Sequence, residues 1–150
     1  MVWNKCIIHS ILAILSQLSL FLSGLGGIIY LKVKKTNPDS PSKEFFLKKQ
    51  HGFNLVCLIT GFIFFTSSLA MGFIQAKNLW GSYWSWDVKQ IGSAIMWLYY
   101  LTIVFIIGWH GFIKDKKTPY ITSLLASSGI AIMGINVFVL SAFSKLHNYL

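Results

Sequence analysis

Four apolar stretches, residues 7–31, 53–74, 91–113 and 119–143, make up most of this chain and leave only short polar connections between them. A helix rises about 1.5 Å per residue, so about 20 residues cross the hydrocarbon core of a bilayer. Each stretch is long enough, and inside lipid a helix satisfies its own backbone donors and acceptors where an irregular chain cannot. The expected fold is an all-α membrane protein: one domain over residues 1–150, with four transmembrane helices in a bundle. A soluble fold fails on composition, because 55% hydrophobic and 11% charged residues leave too little polar surface to cover a globule.

The first stretch is too long for the apolar core of a secretory leader. Its glycines, Gly24, Gly26 and Gly27, lead towards Tyr30 and Lys32 rather than a small-residue cleavage site, so it is expected to remain as a helix. Ser16, Ser19, Ser23 and Gly26 recur on it at helical spacing, as do Ser123, Ser127 and Ala131 on the fourth, predicting close packing along stripes of small residues.

The net charge of +9 comes wholly from lysine. Lys32, Lys34, Lys35, Lys43, Lys48 and Lys49 gather between helices 1 and 2, and the turn KDKKTP sets three more against Asp115. Lysines clustered at helix ends are an orientation signal in a lipid-embedded chain, not a nucleic-acid face, and they predict that both connections are cytoplasmic or stromal. Both chain ends and the connection between helices 2 and 3, at about residues 76–90, then lie outside: an N-out, C-out protein.

That connection reads NLWGSYWSWDVKQ, with Trp80, Trp84 and Trp86 in seven positions and Asp87 directly after them. Two readings are open from the residues alone. One is an aromatic belt at the headgroup level. The other is a slot for a flat apolar ligand, with Lys77, Lys89 and indole N–H groups to meet polar groups on its edge. Under the expected topology His9 and His147 flank this loop, while His51 and His110 sit at the inner ends of helices 2 and 3. A lone histidine near a helix end is ordinarily an interfacial polar residue, but a pair beside an aromatic loop suits axial ligation of haem iron from the two faces of the ring.

The run WGSYWSWD resembles the Trp-Gly-x-x-Trp-x-Trp-Asp signature (WWD motif) of the tryptophan-rich haem-handling family of cytochrome c assembly proteins, and within it the CcsA (ResC) branch of bacteria and plastids. IIHSILAILSQLSLFLSG is similar to the family's helix carrying a histidine before the loop; GWHGF falls where the family has a histidine after the next helix, and KLHNY resembles its closing Leu-His-Ser-Tyr. The resemblance implies haem binding and presentation for covalent attachment to apocytochrome c, in a cytochrome c maturation system of type II. It implies transiently bound haem b, with His9 and His147 as the axial ligands, Trp80, Gly81, Trp84, Trp86 and Asp87 forming the loop against it, and His110 a ligand of an inner, transmembrane haem site. His51 has no counterpart in it.

The resemblance further implies a ResB (CcsB)-type membrane partner and a place in a bacterial plasma membrane or a thylakoid membrane, as a subunit of a cytochrome c synthase complex. It covers essentially the whole chain but only the C-terminal half or so of a usual family member. The chain departs from the branch where Trp-Asp-Pro-Lys-Glu-Thr is replaced by WDVKQIG, and SAFSK adds about a turn before His147. Asp87 is expected to anchor the loop rather than to transfer protons, since no acid or base adjoins it. Cys6 and Cys57 fall at different depths and form no redox pair. The alternatives from other classes are a small di-haem electron carrier of the b type, using His51 with His110 as one of its pairs, and a non-haem helical scaffold.

Overall fold

The computed structural model describes residues 2–36, 39–84, 86–113 and 115–147, with side chains among them except at 2–6, 79, 80, 137 and 139–147. It is built of four helices: α1 (Val2–Thr36), α2 (Pro41–Trp80), α3 (Val88–Phe112) and α4 (Thr118–His147). All four are long and apolar enough to cross a membrane.

The helices run up and down in turn. Near one end His9 of α1 meets Ser68 and Gly72 of α2, while nearer the other Gly27 of α1 lies against Ser123 of α4. Helices α2 and α4 separate α1 from α3, so α1 and α3 stand diagonally across the bundle. Leu20, Leu58, Met96, Tyr100, Ile103, Ile107 and Ala126 form its apolar centre. Large apolar side chains such as Leu18, Phe21, Phe105 and Phe138 face outwards, as a lipid-facing surface requires.

Small residues set how closely α1 approaches its neighbours. A Cβ at Gly27 would come within 2.5 Å of the Ser123 carbonyl oxygen, and one at Gly24 within 3.0 Å of the Ala126 carbonyl oxygen. Ser16, Ser23 and Ser123 of the expected stripes are buried, but Ala131 is exposed and the packed face of α4 runs instead through Thr122, Ser123, Ala126 and Gly129. Asn54, fully buried on α2, places its amide 3.3 Å from both Gln50 and Ser123, while its backbone carbonyl accepts a 3.0 Å hydrogen bond from Ser23. Such polar contacts between helices hold where apolar packing against lipid gives little preference.

Several boundaries differ from the sequence reading, among them the start of α1 at Val2 and the end of α4 at His147. Helix α2 begins at Pro41 rather than near residue 53, because Ser40 caps it, accepting from the Lys43 backbone N–H at 3.2 Å, and Pro41 suits the first turn. The lysines from 43 to 49 are thus on a helix, not in a loop. Helix α1 likewise runs to Thr36, past the apolar stretch, since lysine is a good helix former at an exposed end. The tryptophan connection shrinks from about 76–90 to residues 81–87, because α2 runs through Trp80 and α3 starts at Val88.

Candidate functional site

The two ends of the tryptophan connection are set by local chemistry. Helix α2 stops because Gly81 takes a left-handed conformation, φ 74°, and its N–H bonds back to the Lys77 carbonyl at 3.0 Å. Glycine adopts that conformation at no steric cost. Helix α3 starts because Asp87 caps it, its Oδ1 accepting from the Lys89 backbone N–H at 2.8 Å. This is the anchoring hydrogen bond expected of Asp87. Val88 takes the first helical position, directly after the aspartate cap. Between the two ends Ser82 makes a tight turn, its hydroxyl donating to the Trp84 carbonyl at 2.8 Å. Trp86 is held at φ 56°, the left-handed region that a bulky residue rarely enters.

Beneath the connection lies a cleft of about 220 Å³ lined by His9, Leu69, Gly72, Phe73, Ala76 and, from the start of α3, Asp87, Lys89 and Gln90. The fold thus brings His9 and Asp87, 78 positions apart in sequence, to one opening. Trp84 packs on the Phe73 wall with ring centroids 6.1 Å apart, and Trp86 meets Trp84 edge-on at 5.6 Å. Trp86 is 76% exposed, so Phe73, Trp84 and Trp86 make a shelf beside the cleft rather than a closed slot. Trp80 ends α2 and His147 ends α4; both side chains lie outside the described residues. Lys89 lines the cleft, whereas Lys77 lies 5.1 Å from the centre of the Tyr83 ring.

The imidazole of His9 is held from one side. Its Nδ1 is 2.9 Å from the Ser68 carbonyl oxygen, which can only accept, so a hydrogen bond between them requires the proton on Nδ1. The Ser68 hydroxyl lies 3.2 Å from the same nitrogen and donates to the His9 carbonyl at 3.3 Å.

At the opposite end of the bundle His110 is engaged in a similar way, with Nδ1 3.0 Å from Asp115 Oδ2. The Asp115 carboxyl is held below the usual carboxylate range, first by the Lys117 backbone N–H at 2.9 Å and then by His110. His51 differs. It lines an almost wholly apolar cavity of about 380 Å³ between α2 and α3, and its Nδ1 is buried with no hydrogen-bond partner among the described residues. His110 does not line that cavity, so the two inner histidines do not meet there.

The chain matches, over residues 3–147, the family described as Cytochrome C assembly protein. It belongs to that family. Among curated relatives, the cytochrome c biogenesis protein CcsA of Chlamydomonas reinhardtii is 30% identical over 72% of the chain and 32% of its own length. The CcsA of Lotus japonicus is 34% identical over 65% of the chain and 28% of its own length, and that of a Synechococcus strain 33% identical over 52% and 24%. The chain therefore spans about a third of the length of the relatives it matches, in roughly their C-terminal portion. No solved structure matches it. Family and helices together make this chain an integral membrane protein.

Ser68, Gly72 and Phe73 do not stand out in the sequence alone. A signal was present, since Ser68, Gly72 and Ala76 recur every four residues on α2 as the stripes do on α1 and α4. Nothing in that spacing says that the stripe receives an imidazole rather than another helix.

Proposed function

We propose that this chain binds haem at the tryptophan end of the bundle and presents it for covalent attachment to apocytochrome c, with His9 and His147 as axial ligands. The observation that carries the reading is the His9 imidazole, its Nδ1 committed to α2 while the ring borders a cleft beside the tryptophan shelf. A ring nitrogen that donates to a carbonyl leaves the other as a lone-pair donor, which is how protein ligands of a metal are usually oriented.

The residues present fit haem. Leu69, Phe73 and Ala76 give the cleft an apolar wall, Lys89 supplies a cation for a carboxylate, and the exposed face of Trp86 suits a flat ring. The cleft is smaller than a porphyrin, so it can seat only one edge of one. Bound haem would supply an iron whose potential depends on its axial ligands and vinyl groups that accept the cysteine thiols of the apocytochrome. The chain's own residues hold and orient. His9 and His147 would hold the iron, Asp87 keeps the loop and α3 in register, and the aromatic shelf would cover part of one face of the ring.

The name of the CcsA relatives, cytochrome c biogenesis protein, supports this reading. The lysine pattern fits a tryptophan connection on the outer or lumenal side, which in this reading is that of a bacterial plasma membrane or a thylakoid. His110, oriented by Asp115, is the candidate ligand of an inner haem. A ResB (CcsB)-type protein would complete the synthase complex.

The test is the visible spectrum of the detergent-purified chain from a haem-replete host, beside His9→Ala and His147→Ala. Six-coordinate haem in the parent, lost or converted to five-coordinate in either variant, is the expected result. Haem indifferent to both substitutions would refute the assignment and move the site to the inner histidines, as the electron-carrier reading requires.

A further inference from the structure

The notch in which His9 sits is more specific than packing requires. Gly72 lies one turn beyond Ser68 on the same face of α2, and a Cβ there would stand 3.3 Å from His9 Cε1 and 3.8 Å from Nδ1. Ser68 is 3% exposed, and its carbonyl and hydroxyl both face the imidazole. A carbonyl inside a helix already serves the helix ladder, so its second lone pair is what the imidazole uses. The other carbonyls along this face offer the same lone pair, but here a glycine clears the space for the ring beside it.

Two further details point the same way. The Ser68 hydroxyl bonds the His9 backbone carbonyl, so one side chain fixes both the backbone and the ring of the same residue. Of the histidines whose side chains are described, the two that the family resemblance makes haem ligands, His9 and His110, have Nδ1 engaged by an acceptor, whereas His51, outside that resemblance, does not. The proton on each engaged imidazole is placed before any ligand arrives.

We infer that Ser68 and Gly72 are positioning residues for His9: the notch they form holds the imidazole in the Nδ1–H tautomer and so dedicates Nε2 to a ligand in the cleft. This rests on the proposed haem reading for what Nε2 binds, but the tautomer is a property of the ligand-free chain. An unconstrained imidazole in water prefers the proton on Nε2, so the notch reverses the intrinsic preference. Outer partners of metal-binding histidines typically change metal affinity about 10- to 100-fold when removed.

The experiment is 15N NMR of histidine-labelled, ligand-free chain in detergent, assigned with His9→Ala, followed by haem titration of the same samples. The expected His9 signal is Nδ1–H in the parent and in Ser68→Thr, which keeps the hydroxyl. In Gly72→Val, and to a lesser degree in Gly72→Ala, the signal moves towards Nε2–H, and haem binds about 10-fold more weakly. An Nε2–H signal for His9 in the parent would overturn the inference outright. An Nδ1–H signal that Gly72→Val abolishes with no change in haem affinity would also overturn it, since the notch would then serve only packing. If haem bound equally well to His9→Ala, the proposed function would fail and the positioning role with it, but the NMR result would still separate that failure from a failure of the notch.

Discussion

Asp87 and Trp86 sit side by side in the motif and do opposite things to the backbone. Asp87 relieves the start of α3 by accepting one of its unpaired N–H groups, which is worth about 1 kcal/mol at a helix start. Trp86 costs energy, since a bulky residue at φ 56° gives up about 1–2 kcal/mol relative to an ordinary conformation. Strain of this kind persists where the surroundings enforce it, and here the cap on one side and the Trp84 contact on the other do so. Asp87→Ala is expected to lower stability in detergent by about 1 kcal/mol, with Asp87→Asn staying within a few tenths because an amide oxygen caps nearly as well. Equal losses in the two variants, read by thermal denaturation, would mean that the charge rather than the cap matters. The pattern Trp-Asp was legible in sequence; the left-handed tryptophan was not, because no residue type announces it.

At the scale of elements, the glycines separate into those that meet a neighbour and those that do not. Gly27 lies against the α4 backbone, whereas a Cβ at Gly52 of α2 would meet nothing within 4 Å. The same substitution should therefore act in opposite directions. Gly27→Ala is expected to destabilise by about 1–3 kcal/mol through forced separation of α1 and α4. Gly52→Ala should be neutral or stabilising by up to about 1 kcal/mol, because alanine is the better helix former. Melting followed by circular dichroism in detergent distinguishes them, and destabilisation of equal size at both positions would refute the close approach of α1 to α4. The stripe on α1 was readable from its spacing, and so were Ser123 and Ser127 on α4, which both face Gly27, but Ala131 is exposed and the packed face runs through Thr122, Ala126 and Gly129. Spacing alone leaves the rotation of a helix about its axis free when apolar residues surround it, as they do in lipid.

For the whole molecule, the up-and-down order of the helices puts the tryptophan connection at one end and the lysine-bearing turns at the other. The lysine bias makes the orientation testable. In a chain with Cys6→Ser and Cys57→Ser, a cysteine replacing Ser82 is expected to react with an impermeant maleimide from outside intact cells. One replacing Ser42 should react only after the membrane is opened. The reverse pattern would invert the topology. The number of helices, their membrane character and the family were all determined by the sequence itself, because apolar length and the run WGSYWSWD are local properties that no packing partner can alter. Which side chains share a cleft was decided only by the tertiary structure. His9 meets Ser68 and Gly72 across 59 and 63 positions of chain, and that meeting depends on the depth at which two helices cross. The register between helices follows from the summed fit of many small contacts, and no single stretch of sequence contains it.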